Sequence, residues 1–120
     1  MKRILNVNDQ PALRKIASRI LSEAGYHILE ASNGLEALEI TRSEQPDLVL
    51  LDIRMDGMDG FEVCRQLRAD AATAYLPIVI MSGHHIKPDD KALGQDLGAN
   101  AYLTLPLNKE SLLSTVEQYI

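Results

Sequence analysis

Five short apolar runs alternate with stretches of helical periodicity, at residues 4–7, 26–31, 48–51, 78–81 and 99–105. A strand that exposes one face to water alternates apolar and polar residues. A strand covered on both faces reads as an unbroken apolar run. Leu48-Val49-Leu50-Leu51 and Ile78-Val79-Ile80-Met81 are of the second kind. Strands that alternate with helices predict a parallel sheet, right-handed crossovers and helices on both faces. For five strands this predicts a flavodoxin-like three-layer αβα sandwich with strand order 2-1-3-4-5.

The connecting stretches carry helix signals. Pro11 suits the first turn of a helix whose apolar stripe is Leu13, Ile16, Ala17, Ile20, Leu21 and Ala24, ended by Gly25. Asn33 with Glu36, and Asp59 with Glu62, have capping-box spacing. Leu35, Leu38 and Ile40 are expected to face inward on the second helix, and Phe61, Cys64 and Leu67 on the third. The fourth helix, over 84–98, is the weakest: it contains Pro88 and, near its middle, Gly94. Asn108 caps the last helix, with Leu107 and Leu112 placed as a hydrophobic staple and Leu113, Val116 and Ile120 continuing its apolar face.

A chain of 120 residues is long enough for one domain with one core, spanning 1–120. The net charge of −5 argues against direct nucleic-acid binding or an anionic-membrane surface. No apolar run reaches membrane-span length and no signal-peptide pattern opens the chain, so membrane insertion is not expected. A single cysteine, Cys64, cannot form an internal disulfide, which points to a reducing, cytoplasmic setting. The chain reads either as a free-standing domain or as one cut from a longer protein.

In the 2-1-3-4-5 order the ligand crevice lies between the ends of strands 1 and 3. That brings Asn8-Asp9 beside Asp52, a carboxylate that follows the third apolar run directly. Two carboxylates with no cation between them suit a hard divalent ion. Mg²⁺ needs only one or two carboxylates plus water and phosphate oxygens. Ser82, at the end of strand 4, is placed to donate a hydrogen bond to a phosphoryl oxygen. The competing structural reading has Asp9 capping the first helix, Asp52 merely ending a strand and Ser82 bonded to the backbone.

The chain also resembles the receiver domain of two-component response regulators, of the chemotaxis-regulator type, over essentially its whole length. The resemblance rests on Asn8-Asp9, on Leu50-Leu51-Asp52 followed by Met55 and Met58-Asp59-Gly60, on Pro77 through Met81-Ser82-Gly83, and on Leu97-Gly98-Ala99-Asn100-Ala101-Tyr102 leading to Pro106. It implies that Asp52 is a phosphoacceptor supplied by a histidine kinase or phosphotransfer protein. It implies Mg²⁺ ligation by Asp9, Asp52 and the backbone carbonyl of Arg54, with Asn8 contributing weakly through water. It makes Ser82 the switch hydroxyl and Tyr102 the switch aromatic. It further implies a signalling domain rather than an enzyme. The face of the fourth helix, fifth strand and last helix would meet an output domain or a second copy.

Two positions depart from that family. Asn8 stands where a second acid is usual, and Leu105 where a lysine precedes the proline. Losing a hydrogen bond to a charged group costs roughly 1.5–3 kcal/mol. That corresponds to about 10- to 100-fold in phosphoryl transfer or its coupling to the output face. Asp56 stands where proline is usual, predicting a looser loop, and His84-His85 is expected to be an exposed pair. The site is thus expected to be degenerate. The alternative is a pseudo-receiver, a protein-interaction module that keeps the fold and works without phosphorylation. An aspartyl phosphatase or phosphotransfer enzyme ranks below both, for want of a general acid or lid.

Overall fold

A computed structural model describes residues 1–55, 57–82, 92–93 and 95–120. The strands are β1 (Arg3–Val7), β2 (His27–Ala31), β3 (Leu48–Asp52), β4 (Ile78–Ser82) and β5 (Ala101–Thr104). The helices are α1 (Pro11–Glu23), α2 (Gly34–Glu44), α3 (Gly60–Ala69) and α4 (Lys109–Tyr119). All strand pairs are parallel, in the order β2-β1-β3-β4-β5. Of the weak helix expected over 84–98, the described residues 92–93 and 95–96 are helical and a turn follows at 97–98. The readings made for Asp56, Gly83, His84, His85, Pro88 and Gly94 lie outside the described residues.

The continuous apolar runs are buried as their composition requires: every residue of β3 and of β4 is buried. Alternate side chains feed two cores. Leu51 and Ile80 pack with Leu38, Val63, Cys64 and Leu67 under α2 and α3. Leu50 and Met81 pack with Leu21, Leu112 and Val116 under α1 and α4. The staple residue Leu107, Leu113 of α4 and Ile120 just beyond it join this second core.

Two inward assignments are corrected. Ile16 is 49% exposed and Leu35 is 64% exposed. On α1 the strip against the sheet is filled by Ala17 and Leu21, flanked by half-buried Leu13 and Ile20, while Ala24 is the exposed C-cap. On α2 the inward positions are Ala37, Leu38 and Thr41, with half-buried Ile40 against the same core as expected; the Thr41 hydroxyl donates to the Ala37 carbonyl at 2.7 Å. Leu35 sits in the first turn and lines a shallow groove with Asn33, Gly57 and Met58 instead. The caps are as expected: Asn33, Asp59 and Asn108 accept from the N–H groups of Glu36, Glu62 and Ser111.

The amino end of the sheet is tied by polar side chains. The Arg68 guanidinium donates to the carbonyls of Gly98 and Ala74 and to Asn100 Oδ1. Asn100 Oδ1 also accepts the Ile78 N–H at 2.8 Å, which opens β4. The Tyr119 hydroxyl donates to the Asn100 carbonyl, bringing in α4. Nearby, the Arg3 N–H donates to Asp47 at 2.8 Å, and the Arg3 side chain reaches the carbonyls that end α2.

Candidate functional site

The register places the site. Val7 pairs with Leu51, and Asp52 pairs with Met81. One residue beyond Val7 is Asn8, and one beyond Met81 is Ser82. Asn8, Asp9, Asp52 and Ser82 therefore gather at the carboxyl end of three adjacent strands, although 74 positions separate the first from the last. This is the crevice where open parallel sheets bind ligands.

Asp52 closes β3 and is buried, with 6% of its surface exposed. Burial pushes its carboxyl up to about 6, and the negative charge of Asp9 adds to the shift. The backbone N–H groups of Arg54 and Ile53 and the Arg54 guanidinium act in the opposite direction without offsetting it. An ionised carboxylate is costly in such a place unless a cation or donors meet it. The following loop is held tightly. The Gly60 N–H donates to the Ile53 carbonyl at 2.8 Å. A Cβ on Gly60 would collide with the Asp52 carbonyl and lie 2.8 Å from Ile53 Cα, so only glycine lets α3 start against the end of β3.

Asp9 does not cap α1. The N-cap is Gln10, whose side chain makes no cap bond. Asn8 is fully buried, and its Oδ1 accepts the Gln10 N–H at 2.9 Å. A second lone pair remains on that oxygen for a water. Its Nδ2 has no hydrogen-bond partner among the described residues.

Ser82 is buried at the end of β4, and its carbonyl accepts the Leu105 N–H at 2.8 Å. Leu105 is half-buried beside it, and the Leu105–Pro106 peptide is cis. Tyr102 in β5 is half-buried against the α2–α3 core, with its hydroxyl out of solvent. Arg54 is exposed.

An open cleft of about 500 Å³ over this end of the sheet is lined by Asp9, Gln10, Ile53, Arg54, Met55, Asp59 and Phe61. Asp59 and Gln10 were not singled out as site residues. Gln10 directly follows Asp9, whereas Asp59 lies seven residues beyond Asp52 and reads in the sequence only as the cap of α3. Among the described residues, no group of three His, Cys, Asp or Glu side chains is arranged to hold a metal. The two acids Asp9 and Asp52 nevertheless suit Mg²⁺. They are hard oxygen donors, and their mutual repulsion is relieved by a cation that completes its shell with water. A larger groove of about 620 Å³ runs between α1 and the edge strand β2, past Lys15, Ser18, Tyr26, His27 and Glu30, and contains none of the crevice residues.

The model of the response regulator receiver domain matches residues 4–117. Protein PilH of Pseudomonas aeruginosa is 40% identical over 116 residues, covering 97% of this chain and 95% of PilH. The DNA-binding dual master transcriptional regulator RpaA of Synechocystis is 38% identical, and there the match spans 97% of this chain but 48% of RpaA. The crystal structure of the Vibrio cholerae chemotaxis protein CheY4 superposes with a TM-score of 0.94 at 31% identity, covering 100% of this chain and 99% of that one.

Proposed function

The chain belongs to the response regulator receiver domain family of two-component signalling, and on that footing we propose that Asp52 is its phosphoacceptor. The observation that carries this reading is the Asp52 carboxylate itself, buried at the end of β3 beside the charge of Asp9. The donor is a phosphohistidine on a histidine kinase or phosphotransfer protein. An Asp52 oxygen attacks phosphorus, the phosphorus–nitrogen bond breaks, and the donor imidazole leaves with the electron pair. The product is an acyl phosphate, so a difficult transfer is divided into two easier ones. Asp52 must be ionised to attack, and a cation between Asp9 and Asp52 would oppose the upward push that burial and the Asp9 charge give its carboxyl.

Asp9, Asp52 and the Arg54 carbonyl would hold Mg²⁺, with Asn8 able to assist through a water. The ion supplies neutralising charge for the phosphoryl oxygens. Ser82 donates its hydroxyl to one of those oxygens. Its movement, together with that of Tyr102, repacks the face of the segment before β5, β5 and α4. That is a shift between two packings driven by one new dianionic group. This face receives an output domain or a second copy. The only turnover is phosphorylation of Asp52 and hydrolysis of its acyl phosphate, which releases phosphate and restores the carboxylate, and the domain works in the cytoplasm.

Asn8 and Leu105 weaken the switch. Leu105 offers neither a donor nor a charge where a phosphoryl oxygen would seek one. It also supports the second reading, a phosphorylation-independent interaction module. The experiment that separates them is incubation with Mg²⁺ and acetyl phosphate, followed by intact-mass measurement. An adduct present in the wild type and absent in Asp52→Asn is expected. No adduct at saturating donor would give the second reading the site.

A further inference from the structure

Behind the crevice, a connected polar network runs between β1, α1 and β2. Arg14, in the first turns of α1, donates from one terminal nitrogen to the Asn8 carbonyl at 2.8 Å. Its Nε faces Glu30 Oε2 at 3.8 Å. The same Glu30 oxygen accepts the Ser18 hydroxyl at 2.7 Å. Asn6, fully buried in β1, donates to Ser18 Oγ at 3.0 Å and to the Arg14 carbonyl at 2.9 Å. The Arg14 side chain is 19% exposed, which makes its bonds stronger than those of a surface arginine.

The target of this network is one peptide. Asn8 is held from several directions. Its N–H donates to the Ala31 carbonyl at 3.0 Å, its side-chain oxygen accepts from Gln10, and its main-chain oxygen accepts from Arg14. The residue bonded directly to that main-chain carbonyl carbon is Asp9. The N-cap residue of α1, Gln10, makes no side-chain cap bond. Arg14 braces the Asn8–Asp9 peptide from behind, through the Asn8 carbonyl.

We infer that Arg14, oriented by Glu30, is a positioning residue that aims Asp9 at the cation held with Asp52. The inference rests on the proposed Mg²⁺-assisted acceptance of a phosphoryl group. It also explains how Asn8 replaces an acid without loss of the loop. An amide oxygen accepts the Gln10 N–H as a carboxylate would, and Arg14 fixes the peptide whichever side chain is present. The cost of the replacement is one negative charge near the ion, not the geometry of Asp9.

The test is Mg²⁺ titration of the wild type, Arg14→Met, Arg14→Lys, Glu30→Gln and the exposed control Arg19→Met. It is followed by amide chemical shifts, with hydrogen exchange of the Asn8 and Gln10 amides measured on the same samples. Arg14→Met is expected to weaken Mg²⁺ by about 10-fold and to speed exchange at those two amides selectively. Arg14→Lys should recover part of the affinity, Glu30→Gln should lose roughly 3-fold, and Arg19→Met should change nothing. A purely structural role would lower the melting temperature and leave the Mg²⁺ affinity and the selective exchange unchanged, and that result overturns the inference. If the wild type binds no Mg²⁺, the functional reading fails as well. If it binds and Arg14→Met binds equally well, only the positioning role fails.

Discussion

At the amino end of the sheet, Arg68 donates to the Gly98 and Ala74 carbonyls and to Asn100, and Asn100 in turn holds the start of β4 and receives Tyr119. At the carboxyl end, Asp52 is buried near Asp9 with its carboxyl pushed up to about 6, and the Asn8 amide nitrogen lacks a partner among the described residues. The same sheet thus has one end where polar groups answer one another and one end where like charges face each other. The satisfied end contributes to stability. The frustrated end costs stability that a cation or a phosphoryl group can recover. Sites whose pKa values are shifted by burial and a like charge are where function is to be sought.

The largest expected effect lies at Asp52. A carboxyl raised from 3.8 to about 6 binds its proton more tightly in the folded state than in the unfolded chain. The stability linked to that proton is fully present below about pH 4 and is lost as the pH rises through about 6. In EDTA at pH 7.5, Asp52→Asn should stabilise the domain by about 2–3 kcal/mol in urea unfolding. The difference should shrink toward zero near pH 4, where the wild-type carboxyl is neutral. An Asp52→Asn variant no more stable than wild type at pH 7.5 would mean that the carboxyl end is not frustrated.

Arg68→Met tests the other end, by about the same amount and with the opposite sign. Removing the guanidinium takes a donor from the Gly98, Ala74 and Leu76 carbonyls and leaves Asn100 Oδ1 with the Ile78 N–H, which should cost about 2–3 kcal/mol. The acetyl phosphate adduct on Asp52 should form at an unchanged rate at a temperature where the variant is fully folded. A slowed adduct would show that the two ends are coupled and that their separation is false.

How much of this was readable in the residues differs between the two ends. The sheet order follows from alternation, because doubly covered strands must be apolar along their covered length, as residues 48–51 and 78–81 are. Asp52, Asp9 and Ser82 stand out because each polar group interrupts or ends such a run. The amino-end network left no such mark. Arg68 and Asn100 are 32 positions apart, and each reads singly as an ordinary helix or turn residue. Arg14 and Glu30 escaped notice for the same reason, since a charge on the polar side of a helix looks solvated until the neighbouring strand is placed. Leu35 and Ile16 show the converse error. Periodicity marks a stripe broader than the strip that meets the sheet, and helix ends overhang it.

The smallest effect, and the most informative about the carboxyl end, belongs to Leu105. Its N–H bonds to the Ser82 carbonyl at 2.8 Å, so the backbone here is already tied to β4 whatever the side chain. Leu105→Lys therefore changes chemistry without disturbing the pairing. A lysine adds a donor and a positive charge next to Ser82 and within the field of Asp52. In the unphosphorylated protein it should lower the Asp52 carboxyl from about 6 toward its ordinary value, measured by carboxyl titration in NMR. With Mg²⁺ and acetyl phosphate it should speed adduct formation, or enlarge the chemical-shift change carried to Tyr102, by about 10-fold or less. If neither the titration nor the adduct moves, the leucine is not what separates this site from a full switch. The missing acid at Asn8 then becomes the change to reverse.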